Sequence, residues 1–430
     1  MHEFFKSHEF FNFELTRILG TAPYGGCEVA EFLDAVGEIK RDDPESWHQA
    51  WQKQGVKAEQ IAEDAAASGQ LVAARNAFLR ASNYFRASQY MMNDKPQSRD
   101  ARVLPILERS ISSFRRATVL LDAHVELLEI PYEKYRLPAY LYLPRSTRRL
   151  PGKIPLVINS GGADSTQEEL YYMLPFAGPD LGYAVLTFEG PGQGIVLRRD
   201  QIHQRPDWEV VITAVLDFLL QYATSHPDLE LDTDRIAIAG VSMGGYYSIR
   251  GASDPRIKAC VAIDPFYDLW DLIMVRMPQT FINLWLQGWI PDSLFNALSM
   301  FQTRVSFHSK WEFSCSSWIF GVETPSQLLR KTREFTLRLP GGGEFLDRVK
   351  CPILVSGAAH SLYFKPEVAT TRIFDRLQHL DKNQKELWIP KEPADGGLQA
   401  KMGASGLMQQ RTFKFLDKQF GIKREDVFKT

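Results

Sequence analysis

The chain has 430 residues, a formal net charge of -2, 44% hydrophobic and 24% charged residues. That length allows about two or three domains and a large core. The balanced charge gives nucleic acid or an anionic membrane no electrostatic reason to bind.

The amino-terminal stretch MHEFFKSHEFFNFELTRIL is broken by charges throughout, which excludes a signal-peptide core. No later run is apolar for long enough to span a membrane, so a cytosolic location is expected. Residues 1–123 read as a helical domain. Val56 to Met92 is rich in Ala, Leu, Gln and Arg at helical spacing, with Ser68-Gly69 as the break between two antiparallel helices. Another helix is expected from Asp100 to about Leu121. The four cysteines, Cys27, Cys260, Cys315 and Cys351, form no CxxC pair and are expected to be reduced core thiols of an intracellular protein.

The pattern changes at His124. HVELLEIPYE and PAYLYLPR predict two strands joined by a turn. Short apolar runs follow at 155–159, 183–188, 235–239, 259–263, 353–356 and 386–389, most of them separated by helix-like segments. Alternation of this kind predicts a mostly parallel sheet with helices on both faces, and ligands beyond the carboxyl ends of its strands. Residues 266–345 interrupt the alternation and hold Trp270, Trp285, Trp289, Trp311 and Trp318. This stretch is expected to be a helical insertion that walls an apolar pocket, against the alternative that its rings only pack a core.

The strand at 235–239 runs into Gly240-Val241-Ser242-Met243-Gly244, which fits G-x-S-x-G, and a helix is expected to follow. A strand, a sharp turn and a helix would expose the Ser242 hydroxyl as a nucleophile. An oxyanion hole would use the amide of Met243 and one from the Gly161-Gly162-Ala163 loop, unless that loop is only a tight turn. Glu189-Gly-Pro-Gly-Gln-Gly194 lacks the Lys-Ser/Thr of a phosphate loop and reads as a backbone turn near the site. The scattered histidines show no metal-ligand spacing, and neither a metal nor an organic cofactor is expected.

With Gly161-Gly162-Ala163-Asp164-Ser165, Phe188 to Gly194, Arg205-Pro-Asp-Trp-Glu209 and Gly240 to Tyr246, the chain resembles the α/β-hydrolase superfamily. The branch it resembles has an N-terminal helical domain and includes dihydroxypseudooxynicotine hydrolase and FrsA-like proteins. The tail, Gly396 to Lys401 and Gln410 to Phe415, looks most like hydrolases of fungal polyketide–nonribosomal peptide clusters of the fusarin and cytochalasin type. The resemblance implies a helical cap over residues 1–123, a hydrolase domain over 124–430 and a lid at 266–345. It implies a bulky apolar small-molecule substrate attacked at a carbonyl in an ester, thioester or carbon–carbon bond. Knoevenagel-type closure of a pyrrolinone ring is the alternative. A homodimer stays open.

The family order of Ser, acid and His is not met. The acid position holds His360, the last loop has no histidine, and Gln399 aligns with the missing base. Three arrangements remain open. His360 acts as base, oriented by Asp264, so that His360→Ala would cost orders of magnitude in rate. Alternatively the site polarises a carbonyl without acylation, or the chain binds without reacting. Asp164 aligns with a glutamate that acts on substrate in the carbon–carbon hydrolase; it would be a proton donor, a substrate anchor or a helix cap. Gln399, Trp270 and Tyr246 are expected substrate contacts.

Overall fold

The computed structural model describes residues 2–93 and 99–425. Five helices come first: α1 (Glu9–Leu19), α2 (Val29–Glu38), α3 (Pro44–Ala67), α4 (Leu71–Tyr90) and α5 (Val103–Thr118). Asp43 caps α3 by accepting from the amides of Glu45 and Ser46, and Pro44 begins the helix where no N–H is needed. The break between α3 and α4 falls at Ser68-Gly69 as expected, and Gly69 supplies the positive φ of 74° that the turn requires.

Eight strands form one sheet: β1 (His124–Tyr132), β2 (Tyr135–Leu143), β3 (Ile154–Ser160), β4 (Ala184–Phe188), β5 (Leu231–Val241), β6 (Ile257–Ile263), β7 (Ile353–Ser356) and β8 (Lys385–Trp388). Their order is β1-β2-β4-β3-β5-β6-β7-β8, antiparallel at β1, β2 and β4 and parallel from β4 through β8. Every residue of β3 and β4 is buried, the reason these strands read as unbroken apolar runs. Helices α6 (Gln167–Leu170), α7 (Gly194–Asp200), α8 (Glu209–Ser225), α9 (Met243–Gly251), α15 (Thr370–Arg376) and α16 (Ser405–Gln419) flank the sheet, while α10 (Trp270–Arg276), α11 (Gln279–Leu286), α12 (Asp292–Val305), α13 (Phe307–Phe320) and α14 (Pro325–Thr332) lie between β6 and β7.

The register sets the site. Ser160 pairs with Gly240, Gly240 with Ala262, Ile263 with Ser356 and Ser356 with Trp388. The parallel strands therefore end at one level, and the loops after β3, β5, β6, β7 and β8 emerge side by side. Phe10, Trp47 and Tyr84 of the first helices share an apolar cluster with Leu156 and Ile238 of the sheet and with Trp311 and Trp318 of α13. The tryptophans of the insertion split. Trp285 stacks on Phe295 at 4.3 Å in a small separate core, Trp270 packs against that core, and Trp289 is 77% exposed. These three do not build the apolar wall expected of them. Trp311 faces the first helices instead, its indole donating to the Tyr90 carbonyl at 2.8 Å. All four cysteines are free and buried.

Candidate active site

Ser242 stands between β5 and α9 with φ 57° and ψ -121°, a region that costs a non-glycine residue roughly 1–3 kcal/mol. The neighbouring glycines are needed for space. A Cβ on Gly240 would lie 2.3 Å from the Gly244 carbonyl oxygen, and one on Gly244 would lie 2.4 Å from that of Ser160. The Ser242 amide donates to Ile263 at 2.8 Å, which locks the turn to the end of β6. Ser242 is half-buried, and among the described residues its hydroxyl has no hydrogen-bond partner.

The loop after β3 abuts this turn: a Cβ on Gly162 would come within 4.0 Å of the Ser242 Cβ. The Gly162 amide is committed to the Ser165 hydroxyl at 3.2 Å. The amides of Ala163 and Met243 have no partner among the described residues. Ala163, rather than Gly162, thus pairs with Met243 as the candidate oxyanion donors. Gln193 holds the loop from beneath. Its Nε2 donates to the carbonyls of Gly161 and Gly162 at 2.8 and 2.9 Å, and its Oε1 accepts from the Gly190 amide at 2.9 Å. The glycine-rich turn before α7 is therefore a brace for the loop.

From above, Arg17 of α1 reaches Asp164 at 2.8 Å and chelates Glu169 through two contacts of 2.5 Å. Tyr90 of α4 donates to the same Asp164 oxygen at 2.5 Å. Burial raises the Asp164 pKa, but the Arg17 charge and the hydrogen bonds outweigh it and hold the group at about 2. Asp164 is thus an ionised acceptor and not the proton donor the sequence allowed. The cap of α6 is Thr166, not Asp164. Glu14 completes the cluster, its carboxyl 3.2 Å from the Tyr90 hydroxyl oxygen and accepting from Arg17 at 3.4 Å; burial pushes its pKa to about 7 against the pull of Arg17.

Asp264 follows β6 with φ 49° and is 6% exposed. Its partners come from the last loop: Lys401 Nζ lies 2.7 Å from Oδ1, and the Ala400 amide lies 2.5 Å from Oδ2. Lys401 is fully buried and also donates to the Gly357 carbonyl at 2.7 Å. Burial raises the carboxyl pKa and lowers that of the ammonium, and each partner opposes the shift of the other. The His360 side chain is exposed, and its ring has no hydrogen-bond partner among the described residues. Only its backbone is engaged, donating to Gly397 at 2.8 Å. Gln399 is buried and accepts from the Ser361 hydroxyl at 2.5 Å.

A strained serine at a strand-to-helix turn, two amides without partners among the described residues on the turn and the loop that abuts it, and loops from five strand ends at one level specify one architecture. A sequence profile described as the Alpha/beta hydrolase family matches residues 156–378. The hydrolyase poxO of Penicillium oxalicum is 52% identical over 425 residues, covering 99% of this chain and 100% of that one. The alpha/beta hydrolase psoB of Aspergillus fumigatus is 52% identical over 430 residues, covering 99% and 96%. This chain belongs to the α/β-hydrolase family. Among solved structures, that of 2,6-dihydroxy-pseudo-oxynicotine hydrolase has the same fold, with a TM-score of 0.68 at 20% identity over 95% of this chain and 97% of that one.

This α/β-hydrolase departs from the expected pairing of His360 with Asp264. Both Asp264 oxygens are occupied by Lys401 and Ala400, and the His360 ring is left outside. Tyr246 is no substrate contact either: it is fully buried, stacks on Phe266 at 4.7 Å and donates to the Pro206 carbonyl at 2.9 Å. Trp270 belongs to the separate core of the insertion. Sequence reasoning missed Lys401, although it ends the very segment searched for a histidine. It also missed Arg17 and Glu14, where opposite charges three residues apart in α1 were the available signal.

Proposed function

We propose that this α/β-hydrolase acts in fungal secondary metabolism on a carbonyl of a bulky, largely apolar polyketide-type intermediate. It polarises that carbonyl between the Met243 and Ala163 amides and does not acylate Ser242. The observation that carries the reading is the contrast at the elbow. Two oxyanion donors are free, while no base lies within hydrogen-bond reach of Ser242 among the described residues. Serine without an adjacent base is a poor nucleophile. Donors aimed at a carbonyl oxygen, by contrast, stabilise the negative charge that grows there as a carbanion adds to its carbon. The ionised Asp164, beside Ala163, accepts a hydrogen bond from a protic group next to that carbonyl. Ring closure transfers a proton from the carbon acid to solvent, adds the carbanion to the polarised carbonyl carbon, reprotonates the alkoxide and releases water; no step needs an acyl-enzyme. The fungal tail motifs support the choice of intermediate.

Hydrolysis of an ester, thioester or carbon–carbon bond is the second reading. The strained backbone of Ser242 and the hydrolase names of the relatives favour it. A fluorophosphonate probe and the Ser242→Ala variant separate the two. Carbonyl polarisation expects no labelling of Ser242 and a loss of turnover of no more than about tenfold in the variant. Stoichiometric labelling with a loss of about a thousandfold or more would reject it in favour of an acyl-enzyme.

A further inference from the structure

Arg198 of α7 is a buried cation without an anion. It is 7% exposed, and its Nε has no hydrogen-bond partner. Its one hydrogen bond runs from Nη1 to the Gly194 carbonyl at 3.1 Å. No carboxylate pairs with it among the described residues. The two carboxylates whose charges reach it, Glu189 and Asp164, are committed elsewhere. Glu189 accepts from the amides of Gln167 and Ile195, and Asp164 is held by Arg17 and Tyr90.

Arg198 lies against Trp318 of α13, its Cζ 5.3 Å from the ring centroid. The Trp318 indole N–H is buried and also lacks an acceptor. A second guanidinium, Arg99, lies 4.8 Å from the same ring with Gln201 as its hydrogen-bond partner. Two orphaned donors and two cations thus meet around one indole, next to the turn that braces the oxyanion loop. A buried guanidinium cannot shed its proton, so leaving it unpaired costs stability unless a ligand supplies the charge.

We propose that Arg198 and the Trp318 indole form an anion subsite that takes a carboxylate or enolate oxygen of an otherwise apolar substrate. The subsite deepens the functional reading above by giving the substrate an acidic group, but its binding needs no chemistry at Ser242.

Calorimetric titration of the full chain with decanoate, an acyl-dimedone enolate and neutral methyl decanoate tests it. At least one anion should bind, and the neutral ester should not; the anion that binds separates carboxylate from enolate. Arg198→Met should weaken that anion about 30-fold or more, and Trp318→Phe less. The readout is binding and needs no turnover, so a failure here is distinct from a failure of the carbonyl-polarising reading. Arg198→Met should also raise the Tm, because it removes an uncompensated buried charge. Equal binding of acid and ester, no anion binding at all, or an Arg198→Met variant that is less stable with unchanged anion affinity would each overturn the proposal.

Discussion

Replacing Lys401 by Met should destabilise the protein while leaving the side-chain volume nearly unchanged. Lys401 is fully buried, and its Nζ lies 2.7 Å from both Asp264 Oδ1 and the Gly357 carbonyl. Methionine fills the space but leaves Asp264, 6% exposed, without its counter-charge. Breaking a buried pair from one side costs about 3–5 kcal/mol, because the remaining charge stays desolvated. The Ala400 amide still donates to Asp264, so the lower end of that range is expected. Without Lys401 only the Ala400 amide opposes the effect of burial, and the Asp264 pKa rises further above its ordinary value. The raised carboxyl favours folding where it is protonated, and this contribution is lost as pH rises through its folded pKa. The penalty of Lys401→Met should therefore shrink as the pH falls. Urea unfolding, followed by fluorescence and circular dichroism, measures this. Trp388 is the local reporter, since Lys401 Nζ sits 5.1 Å from its ring. The double variant Asp264→Leu/Lys401→Met should recover most of the loss, because paired removal leaves no orphan charge. A single variant within about 1 kcal/mol of wild type, or a double variant no better than the single, would refute the buried-pair argument.

Gln193→Glu puts a carboxylate against the carbonyls of Gly161 and Gly162 and removes both donors, so kcat should fall about a hundredfold with KM changed far less, read by steady-state turnover. His360→Ala should keep turnover within about fivefold of wild type, since the ring has no hydrogen-bond partner among the described residues; a loss of several orders would restore it as the base. Glu14→Gln should flatten the pH dependence of stability. The folded wild type holds a proton on Glu14 that the unfolded chain releases between pH 4.5 and 7, so its stability falls as pH rises through that window, by up to about 3 kcal/mol. Parallel stability profiles of wild type and Glu14→Gln would count against the raised carboxyl. Arg17→Met leaves Asp164 and Glu169 without their shared cation and should lower both the Tm and kcat, as scanning calorimetry and turnover would show.

The strands, the elbow and the break at Ser68-Gly69 were legible in the sequence because each is local. Apolar runs bounded by turn residues announce buried strands, and Ser242 sits in a turn whose geometry its own glycines dictate. The general position of the oxyanion hole was legible for the same reason: it uses backbone amides, and the loop that carries them is written as Gly161-Gly162-Ala163. Which amide is free was decided by the Ser165 hydroxyl, three residues away and visible only once the loop is folded.

Everything that depends on partners far apart in the chain was settled by the tertiary structure. Asp264 meets Lys401 across 137 positions, and Arg17 meets Glu169 across 152. The formal charges in the sequence carry no record of which pairs are buried together. The sequence put His360 beside Asp264 because their strands are neighbours, and the strands are. The pairing failed because β8 delivers the last loop over the same strand ends, and its lysine takes both the space and the charge. The tryptophans of the insertion divide for a similar reason. Ring content marks a segment as apolar, but only the packing of α11 against α12 and of α13 against the first helices decides which ring faces which core.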